Sequence, residues 1–117
     1  MDLRDLVKAL LAYDALEARQ WVADALRANL VWKDLEAPKG LDQTAFSLAA
    51  GVVELLAERA HQPAPAWTAQ AEPLVKPHFL VRAAETMPRL RRACEREGPE
   101  PLRRRGFLAP PGFLTAA

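Results

Sequence analysis

The sequence contains few of the residues that bind metals or form covalent bonds. Its 117 residues include one cysteine, Cys94, and two histidines, His61 and His78. A single cysteine cannot form an internal disulfide, and these three side chains cannot make an ordinary zinc site unless carboxylates complete it. We therefore expect no disulfide and no metal ion.

Signatures of phosphate binding and of nucleophilic catalysis are also missing. The isolated glycines Gly40 and Gly51 do not form a phosphate-binding loop. The helical pattern places Cys94 on an inward face, where a cysteine usually acts as a small hydrophobic residue. The carboxylates of Glu54 and Glu58 have the helical spacing of a solvated face. The sequence thus indicates a protein that is not an enzyme and that needs no cofactor.

Long apolar runs are absent as well. No stretch approaches the ~18 consecutive apolar residues that span a bilayer, and no cationic and apolar leader opens the chain. We therefore expect a cytoplasmic protein with no membrane span. The chain has a mass of 12.9 kDa and is 50% hydrophobic, which suits one domain with a modest core.

What the sequence does contain is apolar residues at helical spacing. The predicted helices cover residues 3–11, 14–30, 43–60 and 87–97, with a further turn over 101–106. The predicted N-caps are Asp2, Asp14, Asp42 and Thr86. The third helix is apolar almost all round, so we expect it to lie at the centre of the fold.

Four prolines in residues 62–77 exclude a long helix there and predict an ordered loop that wraps the bundle, held by Trp67, Leu74 and Phe79. The stretch HFLVRA, residues 78–83, is the strand candidate, but it is too short to make a sheet alone. The sequence predicts an all-α fold: a compact bundle of four to five helices over residues 1–100, a proline-rich connecting loop, and an extended tail over 101–117 that is not an independent domain.

Charge is unevenly distributed along the chain. Residues 1–75 have seven Lys/Arg and eleven Asp/Glu, a net of −4, whereas residues 76–117 have nine and four, a net of +5. Four arginines are predicted to point outward from the fourth helix: Arg89, Arg91, Arg92 and Arg96. They could hold the phosphates of a nucleic acid without reading its sequence, or they could simply solvate the helix.

The tail has two copies of Gly-Phe-Leu after three consecutive arginines, with a double proline between the copies. The hypothesis is that this tail docks on a protein partner, with apolar anchors and with arginines that pair with acidic groups. The predicted partner-binding residues are Arg103, Arg104, Arg105, Phe107, Leu108, Phe113 and Leu114. Two alternatives stay open: the tail covers the core of its own domain, or two subunits exchange tails in a homodimer.

Two stretches carry a resemblance to a known family: PAWT at residues 65–68, and PEPLRRRGFLAPPGFLTAA at 99–117. The chain resembles small helical bacterial proteins that are encoded beside nucleotidyltransferase-like toxins. The resemblance implies an antitoxin, a protein that binds and silences the product of the adjacent gene. Protein–protein interaction is therefore the expected function, and the alternative is a small nucleic-acid-binding or operon-regulating protein that uses the arginine-rich C-terminal region.

Overall fold

Helices make up most of the computed structural model, which describes residues 2–115. Met1 and residues 116–117, at the ends of the predicted domain and tail, lie outside the described residues. The helices are α1 (Leu3–Leu11), α2 (Ala15–Arg27), α3 (Gln43–Arg59), α4 (Pro88–Glu97) and α5 (Glu100–Arg103). The prediction of a compact and mainly helical fold is confirmed.

Three aspartates begin the first three helices, as predicted. The side chains of Asp2, Asp14 and Asp42 accept hydrogen bonds from the first-turn amides of Arg4, Glu17 and Ala45 at 2.9, 3.1 and 2.8 Å. Each bond satisfies an amide that has no partner inside its helix. The helix starts therefore follow from local sequence alone.

Two predicted helix boundaries differ from the structure. Helix α2 ends at Arg27 rather than near residue 30, because Asn29 adopts a left-handed conformation with φ of +50° that ends the helical path. Thr86 does not cap α4: its hydroxyl donates to the carbonyl of Ala83 at 3.4 Å, at the end of the preceding 3-10 helix Arg82–Glu85.

The long helix α3 lies at the centre of the core, as its all-round apolar sequence predicts. Leu48, Val52 and Val53 are completely buried, and α3 contacts α1, α5 and the 3-10 helix Ala66–Gln70. Helices α1 and α2 form a hairpin through a turn at Tyr13, whose φ is +59°. This arrangement leaves one side of the hairpin facing the C-terminal segment.

The strand candidate at residues 78–83 does find a partner, so the prediction of no sheet is wrong. Strand β1 (His78–Phe79) pairs in parallel with β2 (Phe107–Leu108), with His78 opposite Phe107. The amide of His78 donates to the carbonyl of Gly106 at 2.8 Å, and the amide of Leu80 donates to Leu108 at 2.9 Å. The partner strand comes from the predicted tail, 29 residues further along the chain, where local sequence reasoning does not look.

Residues 101–115 do not form an extended tail. They begin with α5, continue through β2, and end in turns closed by the hydrogen bonds from Phe113 to Pro110 at 3.0 Å and from Thr115 to Gly112 at 3.1 Å. Leu102 is completely buried in the main core. The segment is extended only briefly because its apolar residues gain more from burial in the core than from contact with water.

Candidate partner-binding surface

The buried residue Arg105 connects the C-terminal segment to α3. Its Nη1 and Nη2 atoms donate to Glu54 Oε1 and Oε2 at 2.7 and 2.8 Å, a bidentate ion pair. The same two nitrogens donate to the carbonyls of Pro101 and Thr68 at 3.0 Å. Because only 5% of Arg105 is exposed, its charge is satisfied inside its own chain and is not presented to a partner.

The other two tail arginines are also engaged with their own chain. Arg104, whose side chain is half exposed, pairs with the same Glu54 carboxylate. Arg103 donates to the main-chain carbonyl of Arg96 near the end of α4. The hypothesis that Arg103, Arg104 and Arg105 enter an acidic pocket of a partner therefore conflicts with their positions in this structure.

Glu54 responds electrostatically to this environment. Burial of the carboxyl group raises its pKa, but the hydrogen bond from Arg105 and the charges of Arg105 and Arg104 outweigh the burial, and the net pKa lies below the ordinary value of 4.5. The carboxylate is therefore ionised whenever the protein is near neutral pH. It acts as the anionic counterpart of the two arginines.

The first Gly-Phe-Leu copy lies inside the domain. Phe107 is completely buried and Leu108 is 9% exposed, and the ring of Phe107 meets the edge of the His78 ring at a centroid distance of 6.0 Å. Neither side chain can dock on another molecule in this conformation. The alternative in which the tail covers its own core describes this copy.

The second copy lies at the surface. Phe113 is half-buried, Leu114 is 8% exposed, and the carbonyl of Phe113 accepts a hydrogen bond from Arg59 Nη1 of α3 at 2.5 Å. Burial lowers the pKa of Arg59, which stays protonated. Of the seven predicted partner-binding residues, Phe113 thus keeps a partly exposed apolar surface that another molecule could contact, whereas Leu114 is as buried as Leu108.

That surface belongs to a groove along α2. A hollow of about 460 Å³ lies between the α1–α2 hairpin, residues 80–83 and residues 110–115. It shares Arg19, Leu114 and Thr115 with a second hollow of about 370 Å³ further along α2. We call the two hollows together the α2 groove, and its apolar lining includes Ala18, Val22, Leu26, Leu80, Phe113 and Leu114.

The rim of the α2 groove carries more positive than negative charge. Arg19 and Arg82 line the first hollow together with Asp14. Arg27 lines the second hollow, where it pairs with Asp24 at 2.6 Å. The guanidinium of Arg82 lies 4.8 Å from the centroid of the Tyr13 ring. This cation–π contact holds Arg82 without neutralising it. A groove with an apolar floor and two arginines on its rim suits an apolar segment that is flanked by acidic groups.

Exposed leucines extend the groove along α2. Leu16 is 77% exposed and Leu26 is 51% exposed, although both are large hydrophobic side chains. With Arg19 and Ala23 they follow the spacing i, i+3, i+7 and i+10, which puts all four on one helix face. This face is about 15 Å long at 1.5 Å per residue.

The four arginines of α4 lie outside the groove. Arg91 pairs with Glu95 at 3.4 Å and covers the ring of Phe79 at 5.1 Å. Within residues 2–115, the exposed guanidiniums of the other three make no ion pair or hydrogen bond: Arg89, Arg92 and Arg96. These three are the predicted nucleic-acid-binding residues that remain exposed and unpaired.

Chemistry at other residues is limited in the part of the chain that the structure describes. There, no three His, Cys, Asp or Glu side chains lie close enough together to hold a metal ion. Cys94 is completely buried, and burial raises the pKa of its thiol, so it is held in the unreactive thiol form. No helix over residues 2–115 has the length and apolarity that crossing a membrane requires.

Sequence reasoning missed Glu54, Tyr13, Arg19 and Arg82. The helical spacing of Glu54 and Glu58 predicts a solvated pair, but Glu54 lies among the apolar residues Val52, Val53 and Leu55, and an acidic residue in such a stretch is a signal of a buried ion pair. No local signal marks the other three, because the groove is formed by segments that are distant in sequence. Comparison of the chain with protein-family models, curated proteins and solved structures gave no match.

Proposed function

We propose that this protein is a protein-binding module whose α2 groove receives an amphipathic helix of a partner, with apolar residues on one face and acidic residues beside them. In this proposal the partner is the product of an adjacent gene, and binding inhibits it, as the resemblance to antitoxins implies. The observation that carries the proposal is an apolar groove that continues into exposed leucines on the same face of α2.

The size of the apolar surface favours a helix over a small molecule. A hollow of about 460 Å³ alone falls within the ~300–1,000 Å³ of small-ligand sites. However, a ligand held in it would leave Leu16 and Leu26 exposed to water. A helix of about three turns covers the whole 15 Å face, and helix-in-groove recognition uses apolar anchors at this spacing.

The charge of the rim favours a different protein over a second copy of this chain. In a two-fold symmetric dimer the same surface faces itself, so the positively charged rim of one copy would meet the positively charged rim of the other. Like charges brought together in this way oppose association. An acidic partner helix would instead be attracted to the rim and oriented by it.

Inhibition requires that the groove hold a segment on which the partner's activity depends. Phe113 is central to this role, because its half-buried ring lines the first hollow beside Leu114, which borders both hollows. The tail would thus contribute to partner binding through its second Gly-Phe-Leu copy. Its first copy would contribute indirectly, by fixing the segment that carries Leu114 to the core.

The test is co-expression with the product of the neighbouring reading frame, followed by size-exclusion chromatography and titration calorimetry. The double variant Leu16→Glu/Leu26→Glu removes two apolar anchors and adds two negative charges to the groove face. In the proposal this face contacts the apolar and acidic residues of the partner helix. We expect a stable 1:1 complex for the wild type. Loss of two anchors is expected to weaken it more than about 100-fold.

The matched control is Val31→Glu/Val75→Glu, which changes two other exposed apolar residues, 52% and 100% exposed, by the same charge. It should bind like the wild type, and both variants should melt like the wild type because the substituted side chains are exposed. The same set is then assayed for suppression of the partner's toxicity in growing cells. A wild type that forms no complex, or a groove variant that binds as tightly as the control, would refute the proposal.

A further inference from the structure

We propose a second binding site on α4: the face formed by Arg89, Arg92 and Arg96 binds the phosphate backbone of double-stranded nucleic acid without reading its sequence. We call it the α4 arginine face. It shares no residue with the α2 groove. The proposal starts from three exposed guanidiniums that have no counterion in the described chain.

Helical spacing brings these three arginines together. Positions i, i+3 and i+7 lie within a narrow arc of one helix face, so all three side chains project in the same direction. Along the axis they extend about 10 Å at 1.5 Å per residue. Duplex DNA carries one negative charge per about 1.7 Å of its axis, so a face of this length meets about six charges.

The structure separates this face from the acidic residues of the same helix. At about 100° per residue, Glu95 and Glu97 lie on its two flanks, and Glu95 already pairs with Arg91 at 3.4 Å. Arg103 adds a fourth guanidinium at the end of α4, where it donates to the carbonyl of Arg96. Positive charge thus continues from α4 to the start of the C-terminal segment.

The composition of the face favours backbone contacts over base contacts. Sequence-independent binding of single strands uses aromatic side chains on which bases stack, but the nearby Phe79 ring is half-buried and covered by Arg91. Recognition of adenine in the major groove uses Asn or Gln side chains, and α4 offers neither. A row of guanidiniums without these groups suits the phosphates of a duplex.

The experiment measures binding of the full-length protein to fluorescent 20-base-pair duplexes of arbitrary sequence, one of DNA and one of RNA, between 50 and 200 mM NaCl. Three phosphate contacts predict a slope of about −2.7 for log K against log salt concentration, which is about a 40-fold loss of affinity over this range. The variant Arg89→Gln/Arg92→Gln/Arg96→Gln removes all three contacts, so we expect it to show no measurable duplex binding even at 50 mM NaCl.

The control is Lys8→Gln/Lys33→Gln/Lys39→Gln, which removes three exposed positive charges elsewhere. It lowers the net charge of +1 by the same amount, so retention of binding by this variant assigns the effect to the α4 arginine face and not to total charge. Circular dichroism and thermal melting establish that both variants are folded. Equal weakening by the two variants, or absence of duplex binding at 50 mM NaCl, would overturn the proposal.

Discussion

The tripeptide Gly-Phe-Leu occurs twice, at residues 106–108 and 112–114, and the two copies adopt different structures. In the first, Gly106 has φ of +89° and leads into strand β2, and Phe107 is completely buried. In the second, the chain turns, Phe113 is half-buried, and it is the leucine, Leu114, that has a positive φ of +61°. The phenylalanine of the first copy fills the core, whereas the phenylalanine of the second lines a groove and only its leucine is buried.

The neighbours of each copy explain the difference. Arg105 precedes the first copy and is anchored to Glu54, so the chain enters the core beside strand β1. Pro110 and Pro111 precede the second copy, and since proline has no amide hydrogen, this part of the chain cannot extend the sheet. Whether an apolar tripeptide is buried or lies at the surface thus depends on the ion pairs and hydrogen bonds that its flanking residues can form.

Replacing each phenylalanine with alanine should give the largest difference in stability between the two copies. Phe107→Ala is expected to lower the free energy of unfolding by about 4 kcal/mol, because it leaves a cavity in the core. Phe113→Ala should cost only about 1 kcal/mol, since its ring is half exposed. Urea denaturation followed by circular dichroism measures both values. Equal losses would show that the copies do not differ in their contribution to the core.

Removing the anchor of the first copy should have the next largest effect. Arg105→Ala leaves the carboxylate of Glu54 in a partly buried site with one arginine fewer, at a cost of about 3 kcal/mol near neutral pH.

The contribution of this pair should also depend on pH. The pKa of Glu54 is lowered in the folded state, so its stabilisation is present above the ordinary value of 4.5 and is lost as pH falls through the folded pKa. Denaturation of the wild type and of Arg105→Ala between pH 7 and pH 3 should therefore show their difference shrinking below about pH 4.5. A difference that stays constant over this range would contradict the ion pair.

The first glycine of each copy should give the smallest difference in stability between the copies. In Gly106→Ala the new methyl group lies 3.1 Å from the Leu74 Cβ, on a backbone with positive φ, so we expect a loss of about 1–2 kcal/mol. Gly112→Ala meets only Thr115 Oγ1 at 3.6 Å, an ordinary contact, and should change stability by less than about 0.5 kcal/mol. Thermal melts of the two variants test this ordering, and a reversed order would contradict the described backbone.

The helices could be predicted because their signals are local. Asp2, Asp14 and Asp42 each bond to an amide two or three residues away, and apolar spacing within one helix indicates which face is buried. The central position of α3 follows in the same way from its apolar sequence. These features need no information about the rest of the chain.

The sheet and the candidate site could not be predicted because they depend on contacts between distant residues. His78 pairs with Phe107, and Glu54 pairs with Arg105 across 51 residues, so neither partner is visible in a local window. The α2 groove has the same origin, since it combines α2 with residues 80–83 and 110–115. The apolar composition of the C-terminal segment indicates only that its phenylalanines and leucines are covered, either by the protein's own core or by another molecule.

The parallel pairing of β1 with β2 also has a consequence for biosynthesis. Phe107 and Ala109 fill the interior, so a ribosome-bound chain cannot close its core until residue 109 has been translated and has emerged from the exit tunnel. Until then the core residues that Phe107 and Ala109 cover stay accessible to chaperones and proteases. A chain that stops before residue 107 would lack this interior filling, so we expect it to be less stable than the complete chain.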